Sequence, residues 1–131
     1  MEAASETIAE AMRRLHGEAG ILVVRNSTPG HGDCNRRMFE GPVDLDTALA
    51  LVADSKAKYH WADFKDNNAL LEAAFARVDD WKVLDAYTPT VLRADMHIGG
   101  KGCLHYCTPG PIDHWVRLLY NILLVETGLR E

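Results

Sequence analysis

Positive charge is scarce in this 131-residue chain, with 14 Lys and Arg against 19 Asp and Glu and a formal net charge of −5. No Lys/Arg cluster is longer than two adjacent residues. A basic stripe is the electrostatic footprint of phosphate-backbone binding, so nucleic acid is not an expected partner, nor is an anionic membrane surface. Long apolar runs are also missing. No stretch approaches the ~18 residues of a membrane-spanning helix, so no membrane span is expected. The first residues, Met-Glu-Ala-Ala-Ser-Glu, are acidic and lack an apolar core, which excludes reading them as a signal peptide. Repeats and low-complexity segments are absent. What is present is ordinary for one globular domain: 47% hydrophobic and 25% charged residues.

Cysteine is sparse and odd in number: Cys34, Cys103 and Cys107. One thiol stays unpaired unless its partner lies outside the chain. An oxidising compartment allows Cys34 to bridge to either of the other two, whereas a reducing one leaves three thiols. Composition alone leaves both open.

The hydrophobic pattern predicts an α/β chain. A helix is expected over residues 5–16 (Ile8, Met12, Leu15 at helical spacing), with Thr7 and Glu10 as a capping box and Gly17 and Gly20 as its end. Ile21-Leu-Val-Val24 is a continuous, β-branched run and predicts a buried parallel strand. After a turn-rich loop, Asp44 or Asp46 caps a helix over 45–57, with Leu45, Leu49 and Val52 on one face. Asn67 or Asn68 caps the next helix, with Leu70, Leu71, Ala74, Phe75 and Val78 as its stripe. Residues 81–87 predict the second strand, and residues 88–106 a long irregular segment. Loops of that length inside a compact domain are usually functional. Pro111 opens the last helix and Gly128 ends it. Its expected core stripe is Ile112, Trp115, Val116, Leu119, Ile122 and Leu123, leaving Asp113, Arg117 and Asn121 wet.

Strand, helices and strand in this order imply a parallel crossover. The loops after the two strands then emerge at one sheet edge, where open α/β sheets bind ligands. This brings Arg25 and His31 to the same rim as Asp95, His97 and His105. Two strands are few for a sheet, which suggests missing N-terminal strands.

Reactive and rigid residues concentrate in Gly102-Cys-Leu-His-Tyr-Cys-Thr-Pro-Gly-Pro-Ile-Asp-His-Trp115. Cysteines bracket His105, and Pro109, Gly110 and Pro111 turn the chain into the last helix. A stiff loop anchored on a helix is a suitable holder for one imidazole.

This block resembles the D-C-x-H-[WY]-C-x-P-G run, followed by Asp-x-Trp, near the end of the trichome birefringence-like, or PC-esterase, family. Arg93-Ala-Asp95-Met-His97 is similar to that family's R-x-D-G-H element. Arg25-Asn-Ser-Thr-Pro-Gly-His31 is similar to its R-T-x-x-P-x-H strand end. The three motifs keep the family's order and cover only the C-terminal part of such a domain. The resemblance implies a partial three-layer SGNH-like fold and a polysaccharide O-acetyltransferase acting through an acyl-serine. The acetyl donor would be one such as acetyl-CoA, the acceptor a polysaccharide or glycan, and the setting the Golgi lumen or secretory pathway. It also implies that His105 is the catalytic base. By the same resemblance Arg25, His31, Asp95 and His97 would line the substrate site, Cys34–Cys103 would be the preferred disulfide, and a further N-terminal portion would be expected.

Two departures stand against an active enzyme. The family's D-x-x-H motif needs an aspartate where this chain has Gly102, and the chain has no G-D-S nucleophile. Ala53-Asp54-Ser55 falls in a predicted helix with no strand before it. A triad acid fixes the imidazole tautomer, and losing its charge costs about 10⁴ in turnover in serine proteases. Asp95 and Asp113 are the conceivable substitutes, but Asp113 suits a helix's first turn. Weak or no acyl transfer by the chain alone is therefore expected. The rivals are a non-catalytic glycan-binding or scaffold remnant, a carbohydrate esterase with the same parts, and a zinc site at Cys103-x-His105-x-Cys107. Zinc ligands are usually separated by roughly two to four residues, and alternate residues of an extended segment face opposite ways, so no metal is expected. Tyr87 and Tyr106 are the candidates for stacking on a sugar ring.

Overall fold

A computed structural model describes residues 2–17, 20–32, 34, 39–53, 59–76, 81–98 and 102–129. The helix α1 (Glu2–His16) leads into strand β1 (Leu22–Arg25). Then come α2 (Leu45–Ala53), a 3₁₀ turn (Trp61–Asp63) running into α3 (Phe64–Phe75), and strand β2 (Trp81–Leu84). A short helix α4 (Tyr87–Val91), a 3₁₀ turn (Ala94–Met96) and the long helix α5 (Pro111–Glu126) complete the described chain. The expected residues 54–57 of α2, Ser55 and Val78 lie outside the described residues.

β1 and β2 pair in parallel, with Leu22 opposite Trp81 and Arg25 opposite Leu84. The fold is thus α/β with a two-stranded sheet among the described residues. The crossover puts the loops after both strands at one edge. α5 packs on β2 and α4, α2 on α4, and α1 on α3. Lys82 on β2 reaches Glu126 at the end of α5 at 3.0 Å. No helix among the described residues is long and apolar enough to cross a membrane.

The core gathers Ala48, Val52, Trp61, Tyr87 and Val91, with Val43, Phe64, Leu92 and Cys103 packed at its border. Burying each large apolar side chain contributes about 1.5–3 kcal/mol as an upper bound. Main-chain bonds tie the segments across this core: Val43 N to Leu92 O at 2.9 Å and Gly32 N to Leu51 O at 2.9 Å.

Several local expectations change. Thr7 does not cap α1; its hydroxyl donates to Ala3 O within the helix. Gly17, at φ +70°, does end it, because only glycine enters the left-handed region without strain. Asp44 caps α2 by accepting from Thr47 N and the Thr47 hydroxyl. The buried face of α2 is Ala48, Leu51 and Val52, while Leu45 is exposed. Asn68 is not a cap but a buried residue inside α3. Leu70 of the expected stripe is exposed, and the face turns inward through Asn68, Ala74 and Phe75.

The second strand is shorter than expected, because Asp85 accepts from Thr88 N and starts α4. α5 is present over the expected span, but its inward side is different. Trp115, Leu118, Leu119, Ile122 and Leu124 are half-buried, whereas Ile112, Val116 and Leu123 are exposed. A helix this apolar gives its own periodicity but not which side its neighbours cover.

Candidate active site around His105

The two strand ends are joined by one side chain. Asn26 follows β1 and is buried. Its carbonyl oxygen accepts from Ala86 N and Tyr87 N, both at 2.8 Å. Its amide donates to Asp85 Oδ1 at 2.9 Å and Glu72 Oε1 at 3.1 Å. Both donors and both lone pairs of the amide are thus used. Asn68 repeats the device one residue on, accepting from Ser27 N and donating to Ser27 O. Sequence reasoning missed both asparagines. The available signal was an amide directly after a buried strand, where backbone groups leaving the ladder need new partners. Burial pushes the Asp85 carboxyl up, but bonds from Asn26 and Thr88 outweigh it and hold it below the ordinary value.

Beyond this splice the β1 loop dives inward at Pro29-Gly30-His31. Gly30 is required by contact: a Cβ there would lie 2.3 Å from Cys103 O and 2.6 Å from the Trp61 ring. His31 N donates to Cys103 O at 3.3 Å. Cys34 and Cys103 are disulfide-bonded, with Cα atoms 5.5 Å apart. The β1 loop and the loop carrying His105 are therefore fastened by main chain and by a covalent bond. Cys107 is a free, half-buried thiol. With Cys103 bonded to Cys34, the proposed zinc set loses a thiolate. No group of three or more His, Cys, Asp or Glu among the described residues is arranged to hold a metal.

The His105 loop pairs with the chain just before it. His97 and Tyr106 form an antiparallel bridge. Cys107 N donates to Met96 O at 2.7 Å and Ile98 N to His105 O at 3.2 Å. Behind this ribbon sits His31, fully buried. Its Nε2 lies 2.7 Å from Val91 O and its Nδ1 2.8 Å from His97 Nε2. His97 Nδ1 in turn faces His105 O at 3.1 Å. Tyr106 is buried as well, and its hydroxyl donates to Pro29 O at 2.6 Å. This removes Tyr106 from any stacking role on a sugar; Tyr87 is largely buried but lines a surface cleft.

The structure therefore brings His31, His97 and the His105 main chain together, at three depths: buried, half-buried and exposed. Burial lowers His31, against the Val91 bond and the field of Asp95. Burial also lowers His97, to about 4, helped by the neighbouring His31 and opposed by its bond to His105 O and by Asp95. Asp95 itself does not orient His97 by a direct bond. It makes a two-pronged pair with Arg93, Nε to Oδ1 and Nη2 to Oδ2, each at 2.8 Å. Arg25 is not part of the histidine group. Its guanidinium lies 5.2 Å from the centre of the Trp115 ring on α5, and Trp115 Nε1 donates to Thr90 Oγ1.

His105 closes a tight turn, donating its N–H to Gly102 O at 3.0 Å. In such a turn the first and last side chains project to the same side. A Cβ built on Gly102 would lie 2.4 Å from His105 Nδ1. A side chain at position 102 would overlap the ring as it stands, so the exposed imidazole would have to swing aside to admit one; position 102 and Nδ1 are immediate neighbours, and here that neighbour is a glycine. Asp113 is no substitute: its Oδ2 accepts from Gly110 N at 2.7 Å and caps α5.

A surface cleft of about 410 Å³ is lined by Asn26, Asn68, Glu72, Asp85, Tyr87 and Thr88, with Lys65 and apolar residues of α2 and α3. It opens beside the asparagine splice and is not lined by His31, His97 or His105. Another cleft, of about 370 Å³, is lined by Arg93, Met96, Asp113, His114 and Arg117 at the start of α5.

No family model matches the chain, and no solved structure matches it. The chain is similar to the curated protein "Protein trichome birefringence-like 26" of Arabidopsis thaliana, 27% identical over 139 aligned residues. That alignment takes in 85% of this chain, which spans only 28% of the relative's length.

Proposed function

We propose that this chain is the histidine-bearing C-terminal part of an SGNH-type polysaccharide O-acetyltransferase, inactive or nearly so alone. The observation that carries the reading is the turn from Gly102 to His105. It puts position 102 against Nδ1 of an exposed imidazole, at the edge where the loops after β1 and β2 meet. The one-turn spacing supports a D-x-x-H reading, in which an aspartate at 102 would meet Nδ1 once the exposed ring swings aside to make room. In this reading His105 Nε2 takes the proton of a serine supplied by the rest of the domain. The serine attacks an acetyl donor such as acetyl-CoA, and the acyl-serine passes its acetyl to a glycan hydroxyl. An esterase uses water as the acceptor with the same groups. The similarity to a trichome birefringence-like protein supports the family. The Cys34–Cys103 bond supports an oxidising setting, the Golgi lumen or the secretory pathway.

Gly102 favours a second reading, a non-catalytic glycan binder descended from such an enzyme. Nothing at position 102 can hold the imidazole tautomer or stabilise an imidazolium. One experiment separates the two. This chain, or its Gly102→Asp variant, replaces the matching segment of the Arabidopsis relative, and acetyl transfer to polysaccharide is measured with the intact relative as control. Feeble transfer with Gly102 and a gain of about 10³–10⁴ with aspartate support the damaged enzyme. Glycan affinity with no transfer by either form supports the binder, and neither property would reject both.

A further inference from the structure

The histidine group holds a deficit of protons that can be counted. Three contacts lie in a row: Val91 O to His31 Nε2, His31 Nδ1 to His97 Nε2, and His97 Nδ1 to His105 O. Both ends of the row are carbonyl oxygens, which only accept. Each of the three contacts therefore needs one ring proton. Two neutral imidazoles carry only two ring protons between them. A pair with one added proton carries three and satisfies the whole row.

In the neutral pair the two shorter contacts, 2.7 and 2.8 Å, take the available protons. His31 Nε2–H then donates to Val91 O, and His97 Nε2–H donates to His31 Nδ1. The longest contact, 3.1 Å, is left as the His97 Nδ1 lone pair facing the His105 oxygen. That oxygen keeps only its bond from Ile98 N, at 3.2 Å. Adding a proton at His97 Nδ1 turns a lone-pair repulsion into a charge-assisted bond. The His105 carbonyl is then tied, through two imidazoles, to the core at Val91.

We propose that His31 and His97 act as one positioning unit for His105, taking up a single shared proton that locks the His105 main chain. The proposal rests on His105 being the base, and it adds a regulated support to it. Other charged groups facing the unit are few among the described residues. Asp95 favours uptake by its field, though Arg93 occupies both of its oxygens. The His105 imidazole opposes it. The Tyr106 hydroxyl lies 3.4 Å from His31 Nδ1 but already donates to Pro29 O. Burial is the main opposing influence and holds uptake below the ordinary histidine range. Locking is therefore an acid response.

The test needs no acetyl transfer, so its failure is distinct from failure of the proposed function. Long-range ¹H–¹⁵N spectra of the histidine rings are recorded on the full chain from neutral pH to about pH 4, across the range in which histidine titrates. The expected neutral state has Nε2 protonated on both rings and Nδ1 bare on both. On acidification both rings respond at one midpoint, and the Tyr106 amide, which shares its peptide group with the His105 oxygen, shifts at the same midpoint. His97→Asn keeps a neutral donor near the place of Nδ1 and fixes the Tyr106 amide at its acid position at every pH. His97→Gln, with its donor near the place of Nε2, fixes it at the neutral position. Separate midpoints for the two rings, or a Tyr106 amide blind to His97, overturn the proposal. The wild-type spectra alone decide this if a variant fails to fold.

Discussion

Replacing Cys34 and Cys103 together by alanine removes the covalent bond between the β1 loop and the loop carrying His105. The bridge closes a loop with a sequence separation of 69. In the chain-entropy treatment, ΔS is about −2.1 − 1.5R ln n, which for this loop gives about 15 cal/mol/K, or about 4.4 kcal/mol at 25 °C. That is a large share of the roughly 5–15 kcal/mol that holds a small domain together. With a urea slope of about 1–3 kcal/mol/M, the midpoint falls by about 1.5–4 M. The measurement is urea unfolding followed by tryptophan fluorescence. Trp61 is a suited reporter, buried and lying against Gly30 next to the bridge. Adding reductant to the wild type should reproduce the loss, and Cys107→Ala should not. A loss below about 1 kcal/mol would refute the chain-entropy reasoning. Finding more than one reactive thiol in the unfolded, unreduced protein would refute the pairing itself, since only Cys107 is free.

Three further outcomes are expected. Asn26→Ala strands the Ala86 and Tyr87 N–H groups and frees two carboxylates, with a loss of about 2–4 kcal/mol in thermal or urea unfolding, while Ser27→Ala on the same loop leaves stability within about 0.5 kcal/mol. Gly30→Ala forces a Cβ onto backbone and an indole ring, so it lowers the melting temperature by several degrees or abolishes folding, whereas Gly41→Ala, with open space around it, does neither. Stability also depends on pH through His31 and His97. Their folded values lie below the unfolded 6.5, so the unfolded chain binds more protons as pH falls. Unfolding free energy is then full above about 6.5 and declines on acidification, and the decline continues through pH about 4, where His97 titrates in the fold, because the folded pair takes one proton where the two unfolded imidazoles take two. His97→Asn should flatten that slope in unfolding curves collected across the window.

How much of this was legible in the sequence depends on whether a feature is local. The apolar, β-branched run at Ile21 to Val24 and the second run from Trp81 were enough to place two strands. The helices between them made parallel pairing the expected result, and Leu22 does lie opposite Trp81. α4 was hidden because Tyr-Thr-Pro-Thr-Val has no amphipathic period; only Asp85 three residues before Thr88 marked its start. Asn68 shows the limit from the other side. Its residue type predicts a cap, but a tertiary demand, the bare main chain of Ser27, draws it inside α3. Arg25 and His31 belong to one short motif, so sequence grouped them. The strand's geometry parts them, sending Arg25 to the Trp115 ring while the following loop carries His31 into the core.

The histidine row is the least legible feature of all, since His31 and His97 are 66 residues apart. Nothing in either motif says that the two rings touch. What does survive translation from sequence to structure is the spacing of Gly102 and His105, because three residues is the span of one turn and the turn alone sets the geometry. In the proposed reading, Gly102 is therefore a local change at one end of a turn whose support does not depend on its side chain. The loop is bridged to Cys34, paired to Met96 and Ile98, and backed by His97. Main-chain bonds and a disulfide carry that support, and none of them uses the position 102 side chain. It follows that one substitution at this position should change the chemistry of His105 without dismantling what holds it.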